Sequence, residues 1–250
     1  MDLDKLGDKL KRTSHSNRSS ESTSSEYCII EESTNAEVIG DYPQAKIASG
    51  CPGFQDDGGH YFDRFREPVD TPIRLRLAPK AIWSNVLSAE NNYCGFLVDK
   101  TTLQIFEEFD LGHYTIVPAS VARGRSETRE YFYLFIGTHV GVDSLDFRKS
   151  IFTVVDITSE PLFQIEIADQ EDFERNVVLA RKGELEGAKR FSRIQIDRFV
   201  VRKDSLPSSD MFGAGRFLLE LFVSGKLRDR LITEGVSGVE FRDNDVLGLQ

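Results

Sequence analysis

The sequence predicts an α+β domain in which a mostly antiparallel sheet packs against a few helices. Residues 73–77 alternate Ile, Leu and Leu with two arginines, which is the period of a half-buried strand. The aromatic-rich run Tyr131–Ile136 has the composition of a second strand. A pattern of strand, capped helix, glycine and strand occurs twice, at 96–117 and 222–241. These observations together favour strands and helices that share one core.

Size and charge limit the classes of function. The chain has 250 residues, of which 40% are hydrophobic, and this is enough for a buried core. Lys and Arg total 31 against 41 for Asp and Glu, so the formal net charge is -10. Nucleic acids and anionic membranes require a basic face, and we therefore expect neither as a partner. The acidity suits either solubility alone or a basic protein partner.

Several absences in the sequence favour a cytoplasmic protein. The N-terminus carries charges without an apolar run, and no stretch is long and apolar enough for a membrane span. The cysteines, Cys28, Cys51 and Cys94, are odd in number and show no Cys-x-x-Cys spacing. Neither a disulfide framework nor a zinc site is expected from them.

The N-terminal residues 1–26 differ in composition from the remainder of the chain. Thr13–Ser25 holds seven serines and no aliphatic residue, so it cannot bury enough apolar area to order itself. Leu3, Leu6 and Leu10 have helical spacing, but a helix this short is marginal alone. We therefore expect a disordered tail over 1–26 and one α+β domain over 27–250.

The first part of that domain is predicted from short local patterns. Cys28–Ile30 is an apolar run typical of a strand, and residues 40–72 have the Gly, Pro and Asp content of a long loop region. Residues 80–92, around Trp83 and Leu87, have a helical pattern.

The first strand–helix–strand unit begins at the apolar strand Gly95–Val98. Either Asp99 or Thr101 is placed to cap the helix that follows, and Thr101 with Gln104 matches a capping box. Leu103, Phe106 and Phe109 then form an apolar stripe at helical spacing, and Gly112 is expected to end the helix. Further strands are predicted over Tyr114–Pro118, Phe152–Ile157, Phe163–Ile167, Val177–Leu179, Ile194–Ile196 and Phe199–Val201.

The second unit repeats this arrangement near the C-terminus. An apolar strand over Phe217–Val223 is followed by Ser224, a natural N-cap residue. Leu227, Leu231 and Ile232 are predicted to form the buried face of the helix, and Gly235 sits where a left-handed residue ends one. The two units reflect either a duplication or two uses of a common supersecondary element.

The search for catalytic chemistry yields one cluster, in the order Asp56, Asp57, His60 and Asp63. Carboxylates with one imidazole are able to hold a divalent ion, but Asp and Gly also serve turn geometry in solvated loops. His113 and His139 have no partner at a spacing that indicates a catalytic triad. We therefore predict no catalytic residue, no metal site and no cofactor.

The charges are distributed unevenly along the chain. Between Glu160 and Glu174 there are acids and no bases, whereas Arg181–Lys203 holds eight bases. The two segments either pair with each other or face solvent, or the acidic one meets a basic partner. The last reading predicts a partner-binding surface at Glu166, Asp169, Glu171, Asp172 and Glu174.

Several blocks, in their order and spacing over about residues 75–245, carry a family resemblance. They are Phe96–Asp99 through Val117 and Pro118, Glu130–Leu134, Val142–Asp146 with Ser150, Leu221–Leu227, and Gly235–Phe241. Together they are similar to bacterial immunity proteins of polymorphic toxin systems, the eleventh class in that naming scheme, formerly a domain of unknown function. Asp99 stands where that family often shows Ser, which leaves a capping residue in place.

The resemblance implies an antidote that binds and neutralises a cognate toxin domain acting in the cytosol, and not an enzyme. It supplies no interface residues. Two other classes remain open. A Ser-rich N-terminus also suits a secreted bacterial effector, and the Asp56–Asp63 loop also suits a metal-dependent enzyme.

Deleting residues 1–26 should change the free energy of unfolding by less than about 0.5 kcal/mol, because a polar surface segment buries little apolar area. Urea unfolding of the full-length and truncated proteins measures this difference. A clearly less stable truncated protein would show that Leu3, Leu6 and Leu10 dock on the core.

Overall fold

The computed structural model describes residues 26–48, 73–89, 95–214, 220–244 and 246–249. The helices in these ranges are α1 (Ala36–Ile39), α2 (Lys100–Glu107), α3 (Gln170–Lys182) and α4 (Gly225–Thr233). The strands are β1 (Tyr27–Glu32), β2 (Ala45–Ile47), β3 (Ile73–Leu77), β4 (Val86–Leu87), β5 (Gly95–Val98), β6 (Tyr114–Arg123), β7 (Glu127–Ile136), β8 (Ile151–Val155), β9 (Pro161–Ile165), β10 (Arg193–Val201), β11 (Met211–Gly213), β12 (Leu221–Ser224), β13 (Val239–Arg242) and β14 (Leu247–Leu249).

These strands form three sheets. The first has six strands in the order β2-β3-β6-β7-β5-β4. The second has the order β11-β12-β1-β13, and the third has the order β14-β10-β8-β9. Neighbouring strands are antiparallel except in the pairs β3/β6 and β10/β14. The predicted α+β class with mostly antiparallel sheets is therefore confirmed.

Side-chain alternation explains the strands that the sequence predicted best. In β3 the three apolar residues are buried and Arg74 and Arg76 are exposed, as the pattern required. The aromatic run belongs to β7, which pairs with β6 over ten residues on each strand. Gly124 supplies a positive φ of 64° in the turn between them, a conformation that glycine adopts without steric cost.

Both predicted strand–helix–strand units are present, as β5–α2–β6 and β12–α4–β13. In each unit the two strands lie on either side of a third strand that is antiparallel to both. That third strand is β7 in the first unit and β1 in the second. The two units therefore share one topology, although the inserted strand comes from a different part of the chain.

The equivalence extends to the neighbouring edge strands. Asn85 precedes β4 and Asp210 precedes β11, and each lies 14 residues before the N-cap residue of its unit. The backbone N–H of Asp99 donates to the carbonyl of Asn85 at 2.8 Å, and that of Ser224 donates to the carbonyl of Asp210 at 2.8 Å. Side chains join the same two pairs at 2.9 Å and 2.6 Å. This repeated detail favours a duplication.

The loop that leaves each helix binds the edge strand of the other unit. Ser237, after α4, accepts a hydrogen bond from the backbone N–H of Asn85 and donates its own backbone N–H to the Asn85 side chain, at 3.1 and 3.0 Å. Asp110, after α2, donates its backbone N–H to the Asp210 carboxylate at 3.2 Å and accepts from the Asp210 backbone at 2.6 Å. The two units are reciprocally joined.

The core lies on both faces of the sheet around β1. Cys28 and Ile30 pack with α2, α4 and the six-stranded sheet, in a cluster that includes the predicted core residues. Tyr27 and Ile29 point to the other side and pack with the sheet that contains β8 and β10. The predicted core residues Leu103, Phe106, Leu227 and Leu231 are all buried.

Two of the predicted elements are wrong in type. Residues 80–89 form no helix, and β4 lies within this range. Residues 90–92 lie outside the described part of the chain. Long-range partners hold the segment extended: Val86 donates to the carbonyl of Ser237, and the Trp83 ring stacks on Tyr131. Val177–Leu179 is part of α3 and not a strand, because caps at both ends of α3 enclose it.

Two details of the helices also differ from the predictions. Of the two proposed caps of α2, Asp99 accepts the hydrogen bond from the Thr102 N–H at 2.8 Å, and Thr101 lies inside the helix. In α4, Ser224 is the cap, as predicted. Ile232 was predicted to be buried but is 58% exposed. It follows Leu231 by one residue, and this rotates it away from the buried side.

Leu227→Ala should lower the free energy of unfolding by about 2–5 kcal/mol, because Leu227 is fully buried between α4 and the sheet. Ile232→Ala on the same helix is the control and should change stability by less than about 0.5 kcal/mol. Equal losses in urea denaturation of the two variants would contradict the packing of α4.

Candidate partner-binding surface

Helix α3 carries most of the predicted contact residues, and its ends are well defined. Asp169 caps the helix by accepting the N–H of Asp172 at 2.9 Å. Gly183 ends it in the left-handed conformation, with φ of 73°. The first turn is acidic and the last turn is basic, which matches the sign of the helix dipole at each end. The helix is therefore stable locally while most of its surface faces solvent.

The structure brings the predicted residues together around the N-terminal end of α3. Glu166 is exposed just after β9, and Asp169 is the exposed cap. Glu171 and Glu174 are exposed on the helix, where Glu174 accepts a hydrogen bond from Gln170 at 2.9 Å. Asp172 is only partly exposed. One end of the helix thus presents several carboxylates within about one and a half turns.

Asp172 differs from its neighbours because its carboxylate holds the local backbone. One oxygen accepts the N–H of Ala168 at 2.9 Å, and the other accepts from the Asn176 side chain at 2.8 Å and from Arg175. These contacts fix the entry into α3 and position the buried Asn176. The accessible acidic surface therefore consists mainly of Glu166, Glu171 and Glu174.

The basic segment Arg181–Lys203 forms an ion pair away from the acidic segment Glu160–Glu174. Lys189 pairs with Asp156 at 3.2 Å, in the turn between β8 and β9. The hydroxyl of Thr158 and this ammonium hold the pKa of Asp156 well below its usual range. Lys189 thus meets a carboxylate outside the Glu160–Glu174 segment, while Arg175 pairs with Asp172 inside α3.

A cleft that the sequence did not predict lies beside the start of α3. Its volume is about 710 Å³, and it is lined by aromatic and aliphatic side chains together with polar residues. Glu166 and Asp172 are among the lining residues, with Arg148, Ser150 and Gln164. The acidic surface is therefore continuous with a recess that could receive a side chain of a partner.

A second cleft surrounds Glu32 at the end of β1. Burial raises the pKa of Glu32 to about 8, although the backbone N–H of Ala89 partly opposes this shift. Glu31 and Glu220, which also line the cleft, lie 3.8 and 3.9 Å from the guanidinium of Arg242. A protonated Glu32 would donate a hydrogen bond at neutral pH. A perturbed carboxyl group in a cleft is a recognised mark of functional sites, but structural carboxyls share it.

Neither a metal-binding cluster nor a membrane-spanning helix is found among the described residues. The described ranges contain no group of three or more His, Cys, Asp and Glu side chains arranged to hold a metal ion. The Asp56, Asp57, His60 and Asp63 cluster lies outside the described residues. Among the helices of the described part of the chain, none has the length and apolarity to span a membrane.

Comparison with known proteins identifies one family. The model described as Immunity protein family (Imm11) matches residues 26–246. This confirms the family resemblance found in the sequence, and the match begins about fifty residues earlier than the resemblance did. No curated protein matches the chain significantly.

Asp172→Ala should lower the free energy of unfolding by roughly 1–2 kcal/mol, because it removes the acceptor of the Ala168 N–H and one of the two acceptors of the Asn176 side chain. Glu171→Ala, one residue away and exposed, should change stability by less than about 0.5 kcal/mol. Urea denaturation of both variants measures the difference. Identical curves would show that the Asp172 contacts do not stabilise the entry into α3.

Proposed function

The chain belongs to the immunity protein family Imm11, and we propose that it protects the cell that makes it by binding a cognate toxin domain and covering the toxin's active site. The match over residues 26–246 is the single observation that carries this proposal. Protection of this kind needs a stoichiometric complex and no chemical step, so the proposal includes no catalytic role for this chain.

The proposed place of action is the cytosol. An antidote held in the cytosol meets only a toxin that acts there. The target of the toxin would then be a nucleic acid, a nucleotide or the translation machinery. A toxin that acts on nucleic acid usually has a basic substrate-binding face, since it must neutralise phosphates.

We place the contact surface at the acidic end of α3, with Glu166, Asp169, Glu171, Asp172 and Glu174. The support is physical: these carboxylates cluster on one exposed end of the helix, in a protein with a formal charge of -10. An acidic surface set against a basic toxin face would accelerate encounter and select against neutral partners. Asp169 and Asp172 would act mainly by shaping the helix start, and Glu166, Glu171 and Glu174 by direct contact.

Co-expression with the cognate toxin domain tests the function as a whole. Cells that make both proteins should survive, and the two proteins should elute together from a sizing column. Continued killing, with no complex on the column, would contradict the immunity function. Export of the chain that depends on residues 1–26 would then favour the secreted-effector alternative.

Glu171→Lys with Glu174→Lys tests the surface. This double variant should slow association with the purified toxin domain by on the order of tenfold at low salt, and should weaken the salt dependence of the rate. Glu37→Lys with Glu107→Lys is the matched control, because both residues are exposed, lie on other helices and give the same change in net charge. Stopped-flow or biosensor kinetics measure both, and equal slowing would mean that only net charge matters.

A further inference from the structure

The most unusual exposed residue of the described chain lies beside the C-terminal end of α3. Phe191 has a φ of 69°, a left-handed conformation that bulky side chains rarely adopt. Its ring is 52% exposed. An aromatic residue in this position combines an unfavourable backbone conformation with a large exposed apolar area.

The conformation of Phe191 is imposed by contacts on both sides. Its backbone N–H donates to the carbonyl of Arg181, in the last turn of α3, at 2.9 Å. The chain passes so close to Gly183 that a Cβ there would lie 2.8 Å from the backbone nitrogen of Arg190. Ser192 bonds back to Lys189 through its backbone N–H at 3.1 Å. The backbone that carries the ring is therefore held in a tightly folded connection.

Two further apolar side chains stand next to it. Val177 and Val178 are 36% and 50% exposed on the outer side of α3. Valine is a poor residue for an exposed helical position, since its branched side chain loses χ1 freedom there. Both valines and Phe191 line one shallow recess of about 600 Å³. Val177, Val178 and Phe191 thus each occupy a position that their residue type disfavours, and all three line the same recess.

The polar rim of this recess is mainly basic. Arg181, Lys182 and Arg190 line it, with Glu184 as the acid among the lining residues. The guanidinium of Arg190 lies 5.0 Å from the centre of the Phe191 ring and so keeps its charge at the edge of the apolar surface. In a protein with a net charge of -10, this local excess of bases is complementary to an acidic partner surface.

We propose that Val177, Val178 and Phe191 form the apolar anchor of the toxin contact, and that the toxin domain places an apolar side chain in this recess with carboxylates opposite Arg181, Lys182 and Arg190. This inference rests on the proposed immunity function and extends its surface along the whole of α3. We name these residues the Phe191 patch.

The helix makes the Phe191 patch and the acidic end parts of one surface. Glu171, Glu174, Val178 and Arg181 are spaced by three or four residues and therefore lie along one side of α3. Along about 15 Å this side changes from acidic to apolar to basic. A partner with the complementary order, basic to apolar to acidic, binds in one direction only, so the helix fixes both the position and the polarity of the toxin.

The backbone hydrogen bond from Phe191 to Arg181 strengthens this assignment. Aromatic residues at the centre of interfaces contribute much of the binding energy, and an anchor whose backbone is already held in the free protein loses less entropy on binding. The unfavourable conformation is then retained because the complex requires the ring at this point. If stability alone determined the residue at this position, glycine or asparagine would be expected here.

Phe191→Gly is the decisive variant. Glycine adopts a positive φ freely, so the midpoint of thermal unfolding should stay unchanged or rise. The affinity for the purified toxin domain, measured by calorimetry, should fall by roughly tenfold to thirtyfold. Val178→Gln, which favours the helix and removes the apolar contact, should also lower the affinity without loss of stability. Normal affinity in both folded variants would overturn the proposal.

Two matched controls separate the patch from general effects. Ile232→Ala removes an aliphatic side chain that is 58% exposed on α4 and should leave affinity unchanged. Arg190→Glu should slow association more than Arg125→Glu, which makes the same charge change at the exposed turn between β6 and β7. Equal effects of the two arginine variants would overturn the acidic nature of the partner surface.

The outcomes also distinguish this inference from the proposed function. If the wild-type protein forms no complex with the toxin domain, the immunity function fails and the Phe191 patch loses its stated partner. If the wild type binds and the patch variants bind equally well, only the patch assignment fails. A loss of self-association in Phe191→Gly, seen by light scattering without the toxin, would identify a second copy as the occupant and overturn the assignment.

Discussion

The burial of the sheet around β1 on both faces is the constraint on which the remaining architecture depends. Cys28 and Ile30 enter the core under α2 and α4, whereas Tyr27 and Ile29 enter the core shared with β8 and β10. Side chains alternate along a strand, so a shift of one residue in the pairing of β1 would move each of these two pairs of side chains into the core that the other pair now fills. The register of β1 therefore positions the duplicated units on one side and the sheet that supports α3 on the other.

Local signals in the sequence were sufficient wherever an element specifies itself. Patterns within a few residues explain three such features: the alternation of β3, the caps at Asp99 and Ser224, and the buried stripe of α4. The failure over residues 80–89 has the opposite origin, since this stretch is held extended by Ser237 and Tyr131, which lie far away in the chain. The reciprocal contacts between Asn85, Ser237, Asp110 and Asp210 could not be predicted for the same reason.

The exposure of the residues in the proposed contact surface follows from the sequence only in part. The acidic run correctly indicated carboxylates close together, but it could not show that Asp172 turns inward while Glu171 and Glu174 face solvent. Val177–Leu179 was predicted as a strand because valine prefers strands, and the structure shows the same valines exposed on a helix. Residues whose type disfavours the local structure that they adopt often lie at functional sites. The positive φ of Phe191 has no signature in the sequence at all.

The position of β1 also has a consequence for biosynthesis. Its two neighbours in the sheet, β12 and β13, begin at residues 221 and 239, about 190 and 210 residues after β1 ends. Until then the strand Tyr27–Glu32 lacks a partner on either edge, and its apolar residues are a target for chaperones or for aggregation. Neither core that contains β1 closes before β12 and β13 have been synthesised. A chain that stops before β12 therefore cannot support α3 in its native setting.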